Sequence, residues 1–297
     1  MTESRDSKNG AFGGKRCAPG RSANAATGLH VPGHGTVGFH RPVWCPMATL
    51  LPERLAWRET NPGSSMEPFV TATLTASATC PKIEVISVNV GIPRSIGMRR
   101  GHPVLSGIVK ESIQEQTLRL DTLNLTGDRQ ADLRVHGGPD KAVYAYPSEH
   151  LPRWNEELGV TFAAGTFGEN LSTLGATESD VRIGDIWAWG DALLQVTQPR
   201  SPCYKLAMIT GRPDLLKRLI ANGRTGWYLR VLQPGNVPIR GPIRVVEQAP
   251  DPISVLHAHQ AIVPGALGRS ELQHLAGIET LASSWRDMIN EQLDRAG

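Results

Sequence analysis

Between Ile83 and Glu247 the chain is cut every few residues by Gly, Pro or Asp turn signals into short β-branched and aromatic runs, and this punctuation restricts the fold more than any other feature. Ile83-Glu84-Val85-Ile86-Ser87-Val88-Asn89-Val90, closed by Gly91 and Pro93, has the composition of a strand. Further strands are expected at 104–113, 118–125, 142–146, 186–189, 193–197 and 243–247, with turns at Thr126-Gly127-Asp128 and Trp189-Gly190-Asp191. Many short strands at close spacing predict a barrel or a sandwich. Two helices interrupt them, 148–158 with Ser148 as N-cap, and 213–222 with Pro213 early and Gly223 just past the end. After Pro250 the texture changes to three short helices at 254–259, 270–275 and 281–293, the first two with serine caps.

The charge balance excludes one class of partner. Residues 1–80 carry eight Lys/Arg against five Asp/Glu out of 31 and 28 in the chain, so 23 of each sign remain in 81–297 and the body is neutral. A neutral body argues against a nucleic-acid footprint. Residues 1–80 are rich in Gly, Ala, Ser, Thr and Pro without a period of 2 or 3.6, and are expected to be a disordered extension. An organelle-type presequence or a start codon assigned upstream of Met47 or Met66 both account for that segment. No apolar run reaches the length of a membrane span, and the first residues lack the apolar core of a secretory signal, so a cytoplasmic setting without membrane contact is expected. Cys17, Cys45, Cys80 and Cys203 show neither paired nor metal-cage spacing, and reduced thiols are expected.

Three motifs carry chemistry. In Gln198-Pro199-Arg200-Ser201-Pro202-Cys203-Tyr204-Lys205 a lone cysteine stands between two cations at the end of an apolar strand. Arg200 and Lys205 favour the anionic thiolate, the form that binds metals or carries sulfur; a small buried hydrophobe is the alternative reading. Asp128-Arg129-Gln130-Ala131-Asp132-Leu133-Arg134-Val135-His136-Gly137-Gly138-Pro139-Asp140-Lys141 gathers charge around a double glycine. Such a loop brings backbone N–H groups and Lys141 towards an anion, and it also fits a turn with solvated charges. Gly165-Thr166-Phe167-Gly168-Glu169-Asn170 places a hydrogen-bonding pair beside two glycines, either at a ligand or in a plain turn. His257, His259 and His274 lack ligand spacing and read as helix-surface histidines.

Taken in this order, the motifs Gly127-Asp128-Arg129-Gln130 with Asp132 and His136-Gly137-Gly138, Gly165-Thr166-Phe167-Gly168-Glu169-Asn170 and Arg200-Ser201-Pro202-Cys203 resemble the MOSC domain, named for the C-terminus of molybdenum cofactor sulfurase. The resemblance runs from about Lys82 to Glu247, and the helical tail is similar to the three-helix extension of the stand-alone bacterial YiiM-type branch. It implies an α+β fold: a MOSC-type β-barrel over residues 81–248, a three-helix domain over 249–297, and the extension 1–80 outside both. It implies that Cys203 ligates molybdenum or carries sulfur, and, for the YiiM-type branch, that the enzyme reduces N-hydroxylated compounds such as hydroxylaminopurines and amidoximes on a molybdopterin cofactor. A soft thiolate suits that metal.

Arg200, Lys205, Lys141 and His136 are the candidates for holding the pterin phosphate and nearby oxygens, with Asn170 and Asp128 orienting the ring system. The family also carries a pyridoxal phosphate association, although no pyridoxal-lysine domain is visible in this chain. The alternatives are a sulfur-carrier or cofactor-delivery module with a persulfide on Cys203, and a non-catalytic barrel. No flavin, haem or nicotinamide fingerprint occurs, so an external redox donor such as a flavin reductase is implied. Deleting residues 1–65, so that the chain starts at Met66, is expected to leave the melting temperature and activity unchanged; a large fall in melting temperature on thermal denaturation contradicts the reading of that segment.

Overall fold

The computed structural model describes residues 81–133 and 135–295. The extension 1–80, with Cys17, Cys45 and Cys80, lies outside the described residues. The strands are β1 (Ile83–Val90), β2 (Arg94–Arg99), β3 (His102–Ser106), β4 (Glu111–Ser112), β5 (Thr117–Leu120), β6 (Val143–Pro147), β7 (Leu171–Leu174), β8 (Ile186–Trp189), β9 (Ala192–Pro199), β10 (Trp227–Gln233), β11 (Gly235–Pro238) and β12 (Gly241–Glu247). The helices are α1 (His150–Leu158), α2 (Tyr204–Thr210), α3 (Asp214–Asn222), α4 (Val255–His259), α5 (Arg269–Ala276) and α6 (Ser283–Arg295), with a 3-10 turn at Pro139–Lys141.

Seven strands close a mixed barrel in the order β12-β8-β9-β10-β6-β7-β1, sealed by pairing of β1 with β12. Six of the seven junctions are antiparallel; β6 and β7 run parallel, so the chain between them must cross over. That crossover carries α1 and the Gly165–Asn170 loop. β4 pairs with the end of β1 at Asn89 and Val90, past the residues that pair with β12, while β2–β3 and β5–β11 form two small accessory sheets.

Inside the barrel, Trp187 meets Trp227 edge to face with ring centroids 5.7 Å apart. The same apolar core runs on through Val255, Ala258, Leu275, Trp285 and Ile289, so α4–α6 are covered by the barrel side they pack on. A second core lies among α1, α2 and α3, where Tyr146 stacks on Phe167 at 4.2 Å and Trp154 Nε1 donates to Tyr146 Oη at 2.7 Å. It anchors α2, and α2 begins one residue after Cys203. No helix among the described residues is long and apolar enough to cross a membrane.

Several expected boundaries move. The stretch 104–113 is two strands, because the chain leaves β3 at Ser106 and Gly107 presses so close to the Arg129 carbonyl that a Cβ would sit 2.1 Å from it. The stretch 118–125 turns after Leu120, where Asp121 N–H donates to Asn124 O at 3.0 Å, and Leu125 bridges back to Leu120. Ser148 does not cap α1, whose N-cap is Glu149. Ser270 lies inside α5, where the Glu271 carboxylate takes the Gly268 N–H at 2.8 Å; Ser254 does cap α4, accepting from His257 N–H at 3.1 Å. His259 is buried, its Nε2 bonded to Ile220 O at 2.8 Å; burial holds its pKa below the ordinary histidine value. His274 is exposed and pairs with Asp251 at 2.7 Å. Sequence reading also missed β2, β7, β10, β11 and α2.

Leu194, fully buried on β9, tests the barrel core: Leu194→Ala is expected to cost about 3 kcal/mol in urea unfolding, because the closed barrel cannot collapse onto the vacated volume.

Candidate functional site

Cys203 occupies the N-cap of α2 in an extended conformation, with φ −119° and ψ 162°. The link from β9 is held by Arg200, whose backbone N–H donates to Gly226 O at 3.0 Å and whose guanidinium lies 4.8 Å over the Tyr144 ring. Arg200 is buried and also hydrogen-bonded to Tyr228; although burial works against its charge, Tyr144, Tyr228 and Cys203 together keep it firmly protonated. Burial alone would push the half-buried Cys203 thiol up. A hydrogen bond from His136, the charges of Arg200 and His136, and the backbone N–H of Lys205 outweigh it, and the pKa is lowered to about 7.

The loop following Thr126 supplies the opposite wall. Asp128 is fully buried; Oδ1 takes the Gly91 N–H at 2.8 Å and pairs with the Lys110 ammonium, while Oδ2 takes the Gln130 amide at 3.2 Å. Gly137 adopts φ +85°, and a Cβ there would stand 2.9 Å from Gln130 Oε1. This glycine keeps His136 and Gln130 close together. Lys141 Nζ donates to Val135 O at 3.3 Å; burial lowers its pKa and Asp140 opposes that shift. Asp140 in turn pairs with Arg230 at 2.9 Å, which pins the 3-10 turn to β10.

In the third motif the Glu169 carboxylate is spent on the protein itself, accepting from Gly165 N–H at 2.6 Å, Phe167 N–H at 3.0 Å and Ser172 Oγ at 2.8 Å. Its burial raises the carboxyl pKa. Asn170 accepts from Tyr144 N–H at 3.1 Å and donates to Asn89 O at 3.2 Å, so it ties β6 to β1 while lining the site. At Gly168, with φ +79°, a Cβ would stand 2.5 Å from Ile108 Cγ1.

One cavity gathers the three motifs. Cys203, His136, Lys141, Asn170, Arg200 and Lys205 all line it. Asp128 does not: it stands behind Lys110 and Gln130, which do. Sequence reading assigned no role to Lys110, Arg129, Gln130, Tyr144 or Tyr228, which share the lining. Arg129 and Gln130 fell within a quoted motif, and Tyr228 lies on β10, whose Trp-x-Leu-x-Val alternation was a readable strand signal. Nothing near Lys110 in the sequence marked it. Among the described residues no cluster of three or more His, Cys, Asp or Glu forms a metal cage, so Cys203 is a single thiol among cations.

A protein of Bacillus subtilis, "Uncharacterized protein YflK", is 36% identical over 214 residues that cover 72% of this chain and 96% of that protein. The MOSC domain model matches residues 132–245. The chain belongs to the MOSC family. "Protein YiiM" of Escherichia coli is 40% identical over 61% of this chain and 81% of that protein. The crystal structure of YiiM from Geobacillus stearothermophilus superposes with a TM-score of 0.60 at 34% identity, over 71% of this chain and 99% of that one. A protein of Gibberella moniliformis named "Reductase" is 36% identical over 54% of this chain but 29% of its own length. The MOSC match starts at Asp132, after β1–β5, and spans all three motif regions except Gly127–Gln130.

Because the Cys203 pKa is about 7, its alkylation by iodoacetamide is expected to rise through that pH and to level off above it, as the thiolate fraction saturates. In His136→Ala the midpoint moves upward, towards that of an ordinary thiol. Mass-spectrometric rate profiles read both, and an unshifted midpoint removes His136 from the thiol's environment.

Proposed function

We propose that this MOSC protein binds a molybdenum-molybdopterin cofactor and reduces small N-hydroxylated compounds with electrons from outside the chain. The observation that carries the reading is Cys203, half-buried at the wall of the cavity, with a thiol pKa of about 7 and Arg200, His136 and the Lys205 N–H around it. The donor set fits the group: one soft thiolate for a metal that brings its own sulfur ligands, and Arg129, Lys141, Arg200 and Lys205 for an anionic pterin phosphate. When bound, that cofactor would supply the two-electron redox chemistry of the reduction.

The chain's own residues do the rest. Cys203 would hold the metal side, and Lys141 and Lys205, each already oriented by one backbone carbonyl, would present ammonium groups to the cofactor's anionic oxygens. The paired rings of Tyr144 and Tyr228, with centroids 5.2 Å apart, give the cavity an aromatic wall suited to a planar heteroaromatic substrate. Burial keeps both phenols protonated, so neither adds negative charge beside the thiolate. Family membership, YiiM-like relatives and a reductase-named relative support the redox reading.

Cys203→Ala is expected to abolish N-hydroxyl reduction with about 1 kcal/mol or less lost in stability. Cys203→Ser is expected to fail as well, because a hydroxyl is a harder donor with a much higher pKa. Metal analysis of the wild type accompanies the assay: stoichiometric molybdenum supports the reductase, while persulfide without metal points to the sulfur carrier. Turnover in loaded Cys203→Ala protein removes the cysteine as ligand. Lys141→Ala is expected to retain the fold but to lose cofactor on dialysis several times faster than wild type, followed by molybdenum content.

A further inference from the structure

We infer that the β2–β3 hairpin, together with the adjoining residues 129–133 and Val135, forms the docking face for an acidic electron-donor protein, a reduced flavoprotein, at the mouth of the Cys203 cavity. The inference rests on the reductase reading and places the partner that reading requires. The hairpin from Arg94 to Ser106 contains three arginines and a histidine and no Asp or Glu. Arg94 is committed to Glu111 at 3.2 Å; Arg100 and His102 project from the tip. Its inner end reaches the site, since Ser106 lines the cavity and Leu105 O accepts from Lys205 Nζ at 3.3 Å. Arg99 stacks 4.1 Å over the ring of Tyr204, the residue after Cys203. A second groove, lined by Arg99, Arg100, His102, Leu105, Tyr204 and Lys205 together with Asp132, opens beside the first.

Around these cations stand aliphatic side chains that the fold leaves uncovered: Met98 is 64% exposed, Leu105 54%, Leu133 70% and Val135 58%. Single exposed aliphatic residues are ordinary, but four on the two segments that bound a cavity mouth mark an interaction surface. Apolar contacts within a cationic rim fit a partner with an acidic rim, which electrostatic steering brings in quickly and holds briefly. Such small, transient contacts are typical of electron-transfer pairs.

The chemistry asks for this partner. Cleaving the N–O bond of R–NH–OH takes two electrons and two protons and yields R–NH2 and water. The reduced flavin of the partner supplies the two electrons and ends oxidised, and the protons come from solvent. The sequence carries no flavin, haem or nicotinamide fingerprint.

The test uses the full-length, cofactor-loaded protein, an N-hydroxylated purine, and two donors: flavodoxin in its hydroquinone form, an acidic flavoprotein, and reduced methyl viologen. The variant is Met98→Asp with Arg100→Glu, neither residue lining the Cys203 cavity. Wild type is expected to bind flavodoxin at low salt and to lose binding as salt rises. The variant is expected to bind it about tenfold more weakly and to fall by a similar factor in flavodoxin-driven turnover, with the methyl viologen rate unchanged. Flavodoxin affinity unchanged in the variant, or no binding to wild type at low salt, overturns the docking face. Sedimentation that shows a wild-type dimer dissolved by the variant also overturns it, since a second copy then covers the patch. An inactive wild type with methyl viologen defeats the reductase reading instead, and calorimetric binding still decides the docking face.

Discussion

One parallel pair in an otherwise antiparallel barrel shapes this molecule. Strands β6 and β7 run in the same direction, with Ala145 opposite Leu171 and Pro147 opposite Thr173, so no hairpin joins them. The crossover that does so deposits α1 on the outside, where it builds the second core with α2 and α3, and it returns through the Gly165–Asn170 loop. The cost of tucking that loop under the barrel rim is met by Glu169, which satisfies two backbone N–H groups and one hydroxyl that burial would otherwise leave unpaired. The second core, in turn, fixes where α2 starts. Cys203 is therefore placed by packing several residues away from it.

The electrostatics of the cavity follow from how its charges are buried. Arg200 has lost most of its water and finds compensation in the ring face of Tyr144 and the hydroxyl of Tyr228 rather than in a carboxylate. A guanidinium neutralised by an acid would offer the neighbouring thiol little; one held by aromatic rings retains its positive field and directs it at Cys203. Lys110 is the reverse case, since Asp128 beneath it is fully buried and the pair is nearly closed off from solvent. Asp128 thus organises the loop and the end of β1, through Gly91 N–H, more than it addresses a ligand.

The signals legible in the chain were those that depend on near neighbours. The strands at 83–90 and 186–189 and the helix before Gly223 stood in the pattern because β-branched runs, turns and caps act within a few residues. Strand β10 also carried its alternation in Trp227, Leu229 and Val231, and was passed over because Tyr228 and Arg230 blur a strictly apolar run. Strand β7 is four residues long, too short to declare itself, and exists because β1 and β6 are there to pair with it. The division of 104–113 into β3 and β4 hangs on the Arg129 carbonyl pressing against Gly107, a contact between segments distant in the chain.

At the site the same boundary holds. Cys203, Arg200, Lys205, His136, Lys141 and Asn170 are chemically conspicuous where they stand in the sequence, because a thiol among cations and a double glycine beside charge are local arrangements. That the three segments share one cavity, that Asp128 lies behind it, and that Lys110, Tyr144 and Tyr228 join it was decided by barrel closure. Sequence determines which groups are available and their intrinsic acidities. Distance, burial and the loss of water, which set the Cys203 thiol near neutrality and leave Met98 and Leu133 uncovered, arise only when remote segments meet.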